Sequence, residues 1–321
     1  MTHFHLKFPT IGIYAMNKKV PKVSVTISSY NRKKDLIECL RSIKENDYPN
    51  LEIIIVDNGC IDGTAKAVKD TFPDVKVVRT EKNLGVSGGK NLAIKNVPKD
   101  SDYLFLLDDD YVLEKNAISE LVKAIDGKKE YGAATAKVLY FENPQIVQLA
   151  DSRVGLLTGI NYMNNGPDDG RFDELVETEG IGGTGLVKME VIKKVGFYDE
   201  DYFYMYEDAD LSMRIIKAGY KILYVPTSKI LHKIPLLNKE KGNRRWFSRA
   251  YFVARNKIIF MRKYSRCFPL FILIYPIWLS LYTFKAARCF NFVALFNFYK
   301  GAAGGFKWVF FDFLQHVKRH E

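Results

Sequence analysis

The chain has 321 residues, 47% hydrophobic and 14% aromatic, which is enough apolar material for a packed core and excludes a disordered chain. Its net charge of +11 is unevenly placed: residues 1–239 carry 33 basic and 34 acidic side chains, a net of −1, while residues 240–321 carry 15 and 3, a net of +12. This excludes a uniformly basic surface and predicts two regions with different partners.

Residues 1–21 lack both a continuous apolar stretch and a small-residue cleavage site, so they read as a leader and not as a signal peptide. Cys39, Cys60, Cys267 and Cys289 form no C-x-x-C pair and are expected to be reduced thiols of a cytoplasmic protein. VSVTISS (23–29) predicts a first strand, and residues 31–46 a helix with Leu36, Leu40 and Ile43 on its apolar face. LEIIIVDN (51–58) is continuous and β-branched, as in a parallel strand covered on both faces. DGTAKAVKDTF (62–72) predicts a helix with Asp62 as N-cap, followed by a strand VKVVRT (75–80), a helix GGKNLAIKN (88–96) and a strand YLFLLDDD (103–110). The alternation predicts an α/β fold with right-handed crossovers.

After about Tyr131 the pattern loosens, and residues 161–179 read as a long polar loop. IGGTGLVKMEVIKKVGF (181–197) predicts a Gly-rich turn, a strand and a short helix. In the next helix Leu211, Ile215 and Ile216 face inward and Gly219 terminates; YKILYVP (220–226) is a strand, with His232 just after it.

Polar residues gather where strands end: Ser28, Ser29, Tyr30 and Asn31, then Asp57 and Asn58, then Asp108, Asp109 and Asp110. Ligands of open α/β sheets bind beyond those ends. Asp108 and Asp110, two apart, project to one side and suit Mg²⁺ or Mn²⁺, with Asp109 pointing elsewhere; the alternative is a solvated turn with Asp110 capping a helix near Glu114. Asp57 can accept the N–H of a uracil or thymine ring, whereas turn chemistry explains Asn58, Gly59 and Asp62 but leaves Asp57 without a task. Asn83, Gly85, Gly88 and Gly89 form a Gly-rich loop opening a helix, suited to phosphate or ribose. Glu207, Asp208 and Asp210 begin a helix, where acids favour the dipole; one of them can also serve as general base.

Taken together, VSVTISSYNRKKDLIECLRSI, EIIIVDNGCIDGT, KNLGVSGGKNLAI, YLFLLDDDYVL and GFYDEDYFYMYEDADLSMRIIKAGYKILYVP resemble, in order and across residues 23–232, a family 2 glycosyltransferase of the rhamnosyltransferase-like branch. The resemblance implies the GT-A nucleotide-sugar fold: a mostly parallel central sheet flanked by helices. It implies an inverting transferase moving a sugar from a UDP- or dTDP-sugar to a saccharide or lipid-linked saccharide, with Asp208 as base and Glu207 supporting it. Asp57 would meet the pyrimidine, and Asp108 and Asp109 the donor. Asp108, Asp110 and His232 would hold the metal. Ser28, Tyr30 and Arg32, then Asn83, Gly88, Gly89 and Asn91, would complete the donor site. Cys60 departs from the serine common in that motif.

The rest of the chain, 236–321, reads as a basic, apolar helical tail behind a catalytic domain at 22–235. Its uncharged run from Phe268 to Phe284 is flanked by Arg262, Lys263 and Arg266 and by Lys285 and Arg288. It is short for a span, carries Pro269 and Pro276, and has positive charge on both flanks. These features predict a segment lying in or dipping into anionic lipid at the cytoplasmic face of the membrane, peripheral or monotopic; a helix buried under the catalytic domain is the alternative. The uninterrupted apolar run argues against nucleic acid as a partner. Two other functions compete. A sugar nucleotidyltransferase would show a Gly-rich basic loop where SSYNRKKDL stands, and a non-catalytic membrane-bound scaffold would have lost the acids.

Overall fold

Along β1 (Val23–Ser29), Val23, Val25 and Ile27 alternate with Ser24 and Thr26, and all five are buried. A strand with two buried faces needs a cover on each. One face carries Leu36, Leu40 and Ile43 of α1 (Lys33–Lys44), Val68 of α2 (Thr64–Thr71) and Ile118, Leu121 and Ile125 of α4 (Ala117–Ile125). The other carries Ala93 and Ile94 of α3 (Gly85–Lys95), Val191 and Ile192 of α5 (Met189–Val195), and Leu211 and Ile215 of α6 (Glu207–Lys217). Each fully buried Leu or Ile contributes about 1.5–3 kcal/mol. The buried hydroxyls on β1 are satisfied: Ser24 Oγ lies 2.7 Å from Ser101 Oγ, and Thr26 donates to the Phe105 carbonyl.

The computed structural model describes residues 19–159, 161–235 and 247–318, so most of the expected leader lies outside the described residues. β2 (Leu51–Asp57), β3 (Lys76–Arg79) and β4 (Tyr103–Leu107) join β1 in the parallel order β3-β2-β1-β4. Beyond β4 the sheet is mixed. Antiparallel β12 (Thr184–Lys188) lies between β4 and β6 (Tyr131–Tyr140), and β7 (Asn143–Leu149) follows. The strand expected over 220–226 runs on as β13 (Lys221–His232), parallel to β6, with a register shift between Val225 and Lys229 that accommodates Pro226. Its last residue is His232, which therefore ends a strand and does not follow one. β13 also pairs with β5 (Tyr111–Leu113). The polar stretch 161–179 contains three short strands, β9 (Asn161–Met163), β10 (Gly166–Pro167) and β11 (Val176–Thr178); β9 pairs with β8 (Ser152–Val154). Buried Lys137 anchors it, paired with Asp168 at 2.7 Å and with Asp173.

The C-terminal region is helical: α7 (Ala250–Tyr264), α8 (Phe268–Arg288) and α9 (Phe292–Lys318). Gly301 brings α9 onto the α7 backbone, since a Cβ there would sit 2.2 Å from the Tyr251 carbonyl oxygen. α8 is long and apolar enough to cross a membrane by length and composition. It is not a core helix: Phe271, Tyr275 and Tyr282 pack inward, while Leu273, Ile277, Leu281 and Phe284 form an exposed stripe.

Candidate functional site

Strand order reverses between β1 and β4, and a cleft of about 680 Å³ opens beyond their carboxyl ends. Ser28, Tyr30 and Arg32 line it from β1 and its loop; Asn58 and Asn83 line it from the next two loops. The acidic triplet, Gln148, Glu207, Asp208, His232 and Arg249 add to the polar wall.

The triplet lies in the turn between β4 and β5, not on the strand, and its three carboxylates diverge. Asp108 touches Lys90 Nζ at 3.0 Å, and Gly183 is glycine for its sake, since a Cβ there would lie 2.5 Å from Asp108 Oδ2. Asp109 turns under β1 and accepts from Ser29 Oγ at 2.6 Å. Burial pushes its carboxyl up to about 7, against the pull of Arg32 and Ser29. Asp110 meets Arg32 Nη1 at 2.8 Å and His232 Nε2 at 3.2 Å. Burial opposes its ionisation, but His232 and Arg32 hold it well below the usual carboxylate range. Asp110 caps no helix, because α4 begins at Ala117. His232 is held by Gln148 Oε1 at 2.8 Å and by stacking on Tyr111.

Among the described residues no group of three His, Cys, Asp or Glu side chains is arranged to hold an ion, so the expected set of Asp108, Asp110 and His232 is not a preformed cage. Asp110 faces Arg32 and His232, while the Asp108 side chain remains 38% exposed toward the cleft. This donor set fits Mg²⁺ or Mn²⁺ of the kind bound through one or two carboxylates plus substrate phosphates.

Four expected donor-site residues, Asp57, Gly88, Gly89 and Asn91, stand behind the residues that line the cleft. Asp57 is buried, accepting from Cys60 N at 2.8 Å and from Ala65 N at 3.1 Å, so it caps α2 and orders the loop carrying Asn58. Cys60 fits there as a small thiol that meets Ser29 O at 3.3 Å and Asn31 N at 3.2 Å. Helix α3 starts at Gly85, three residues before the expected 88–96 span, so Gly88 and Gly89 are inside it. A Cβ on Gly89 would lie 2.1 Å from Ser28 Oγ, so this glycine lets the helix pack closely on β1. The amides at the start of α3 are already used, Leu84 N by Asn58 Oδ1, Gly85 N by Asn83 Oδ1 and Val86 N by Phe203 O. Asn91 is buried and bonds both the N–H and carbonyl of Tyr198.

The helix bearing the catalytic candidates begins abruptly. Met205 and Tyr206 have φ of 69° and 72°, a left-handed pair of non-glycine residues that delivers Glu207 and Asp208 into the cleft. Such a turn persists only when its surroundings over-determine it. Buried Asn256 of α7 does so, donating to the carbonyls of Tyr204 and Met205. Asp208 Oδ1 accepts from Tyr198 Oη at 3.2 Å and faces Lys90 Nζ at 3.3 Å. Burial and the nearby Asp108 push its carboxyl above the ordinary range, and Lys90 pulls it back. Glu207 Oε2 is buried with no hydrogen-bond partner, and burial beside Asp208 pushes its carboxyl up to about 8.

Lys90 is unremarked in the sequence, where it is one lysine in a helix. It is buried and bridges Asp108 and Asp208. Burial alone would lower its pKa, yet the two carboxylates hold it well above the usual lysine range. A lysine set between two glycines and an asparagine is the only sequence signal, and it is weak.

The sequence profile of glycosyl transferase family 2 matches residues 24–196. The chain is similar to N-acetylglucosaminyl-diphospho-decaprenol L-rhamnosyltransferase of Mycobacterium tuberculosis, 26% identical over 238 residues, covering 68% of this chain and 76% of that protein. It is also 26% identical over 209 residues to rhamnosyltransferase WbbL of Escherichia coli, covering 58% and 76%. Among solved structures it superposes on mannosyltransferase PcManGT from Pyrobaculum calidifontis, in complex with GDP-Man and Mn²⁺, with a TM-score of 0.55 and 20% identity over 89% of this chain and 75% of that one.

Proposed function

From the premise that this chain belongs to glycosyl transferase family 2, on the GT-A fold, we propose that it is a metal-dependent inverting transferase that moves a sugar from a UDP- or dTDP-sugar to a saccharide or lipid-linked saccharide. The observation that carries the reading is Lys90: one ammonium contacts both Asp108 and Asp208, so a donor-side acid and a base candidate share one cleft.

The two acids of the 207–208 pair divide the work through their surroundings. Asp208, whose ionised form Lys90 and Tyr198 favour against its burial, takes the acceptor hydroxyl proton. Glu207, buried without a partner on the cleft wall, stays protonated near neutrality and offers a hydrogen bond to the acceptor. The acceptor oxygen forms its bond to the anomeric carbon as the carbon–oxygen bond to the diphosphate breaks. The nucleoside diphosphate leaves with the electron pair, and a single displacement inverts the anomeric centre. Asp108, with Asp110 and His232, would hold Mg²⁺ or Mn²⁺, and that ion would supply charge neutralisation for the diphosphate. Arg32 adds positive charge to the same wall, and buried Lys90 does so from behind it. Tyr30, Asn58 and Asn83 shape the nucleoside end, with Asp57 holding their loop in place.

The reading keeps a catalytic domain at 22–235 and a membrane-associating tail within 236–321, with the Asn256 contacts to Tyr204 and Met205 tying α7 to the catalytic body. The exposed apolar stripe of α8 and the +12 charge of residues 240–321 support peripheral attachment to anionic lipid at the cytoplasmic face. The test is calorimetric binding of UDP, dTDP, GDP and CDP with and without Mn²⁺, using wild type and Asp108→Ala. Metal-dependent binding of UDP or dTDP that is lost in the variant supports the reading. A folded protein that binds no nucleotide favours the scaffold alternative.

A further inference from the structure

A second cavity, of about 390 Å³, lies beside the cleft. Ser248, Tyr251, Phe252, Asn297 and Lys300 line it, and Phe252 also belongs to the wall of the main cleft. The two spaces are therefore neighbours across one aromatic ring. That ring is held by Phe203, Tyr204 and Tyr251 at centroid distances of 5.8, 5.8 and 5.2 Å.

The lining chemistry is one-sided. It contains a hydroxyl, a phenol, an amide and an ammonium, and no carboxylate. Such a set selects an anion with several acceptor oxygens. Its place on α9 adds a second requirement. Val293, Phe296, Asn297 and Lys300 follow the spacing that puts residues on one helix face. Val293 and Phe296 are 72% and 69% exposed, and Phe292 is 66% exposed beside them. An anion-binding pocket opening onto bare apolar helix surface matches a molecule with an anionic head and a hydrocarbon chain.

We infer that this cavity binds the phosphate head of a lipid-linked acceptor, with its hydrocarbon chain along the exposed apolar face of α9. The inference rests on the transferase reading and deepens it. The sugar borne by the phosphate would then extend past Phe252 toward Asp208, while the donor occupies the main cleft. Lys300 supplies the countercharge, and Asn297 and Ser248 supply neutral donors.

The test uses the full chain in detergent, saturated with UDP and Mn²⁺, with farnesyl diphosphate as the lipid-phosphate probe and inorganic diphosphate as the free-phosphate probe. Farnesyl diphosphate should bind in the presence of UDP. Lys300→Glu should weaken it by about tenfold or more, as expected for reversing one contacting charge, while Lys300→Arg retains it. Inorganic diphosphate should bind far more weakly. Equal binding of the two probes would make this a free-phosphate site and overturn the lipid assignment. Displacement of farnesyl diphosphate by UDP, or indifference to Lys300→Glu, would overturn the site itself. UDP and dTDP binding on the same preparations separates the two readings. Nucleotide binding without farnesyl diphosphate binding sinks only this inference. The reverse result sinks the donor reading.

Discussion

The side-chain amide of Asn256 lies 3.0 Å from the carbonyl oxygen of Met205 and 2.9 Å from that of Tyr204. A residue from the C-terminal helices thereby holds the left-handed turn that presents Glu207 and Asp208. Removing it takes away two hydrogen bonds to the turn, each worth about 0.5–1.5 kcal/mol. Asn256→Ala should lower Tm and reduce kcat by about tenfold or more, because a misplaced base loses reactive geometry. Nucleotide affinity should change much less. A variant with wild-type kcat would remove Asn256 from this role.

Lys90→Met leaves Asp108 and Asp208 without their shared cation. An ammonium near a carboxylate favours its ionised form, so its loss raises the Asp208 pKa. The base is then protonated over a wider range, and the acidic limb of the kcat/KM profile should move to higher pH by about one unit or more. Lys90→Arg should recover part of the shift. A pH–rate series on the three proteins checks this, and an unmoved limb would detach Lys90 from Asp208.

Asp208→Asn keeps the shape of the site and removes the proton acceptor. Transfer should fall by about 10²–10⁴-fold with UDP or dTDP binding preserved. Retained turnover would pass the base role to another group.

Asp109 gives a stability prediction with a definite sign. Its carboxyl is raised to about 7 in the fold from an ordinary 3.8. The protonated form is favoured by folding, so its contribution is full below the unfolded value and lost as pH rises through about 7. Asp109→Asn should therefore stabilise the protein more at about pH 8 than at about pH 5, by on the order of 2–3 kcal/mol. Thermal unfolding at the two pH values measures the difference, and equal shifts at both would contradict the buried, protonated state.

Gly89→Ala places a methyl against Ser28 Oγ, where an ideal Cβ would stand 2.1 Å away. Overpacking of this kind costs about 1–3 kcal/mol, and the strain falls on the floor of the cleft. Denaturant titration should show the loss, whereas Gly63→Ala, with nothing within 4 Å, should show only the smaller cost of a left-handed backbone.

The sequence by itself determined the α/β succession, because the Val- and Ile-rich strands and the Leu36, Leu40, Ile43 stripe are local patterns with local causes. It also placed the acids in order, since polar residues recur at the ends of several successive strands, where ligands of open α/β sheets bind. It did not determine which side chains face the cleft. Asp57, Gly89 and Asn91 read as ligand contacts, yet their partners are Ala65, Ser28 and Tyr198, up to 107 residues apart in the chain. Lys90 carries only a weak local signal and Asn256 none, because their importance arises from carboxylates and carbonyls on other elements. Pair geometry between distant segments is set by packing helices on a sheet, and only the tertiary structure decided that a helix lysine would stand between Asp108 and Asp208.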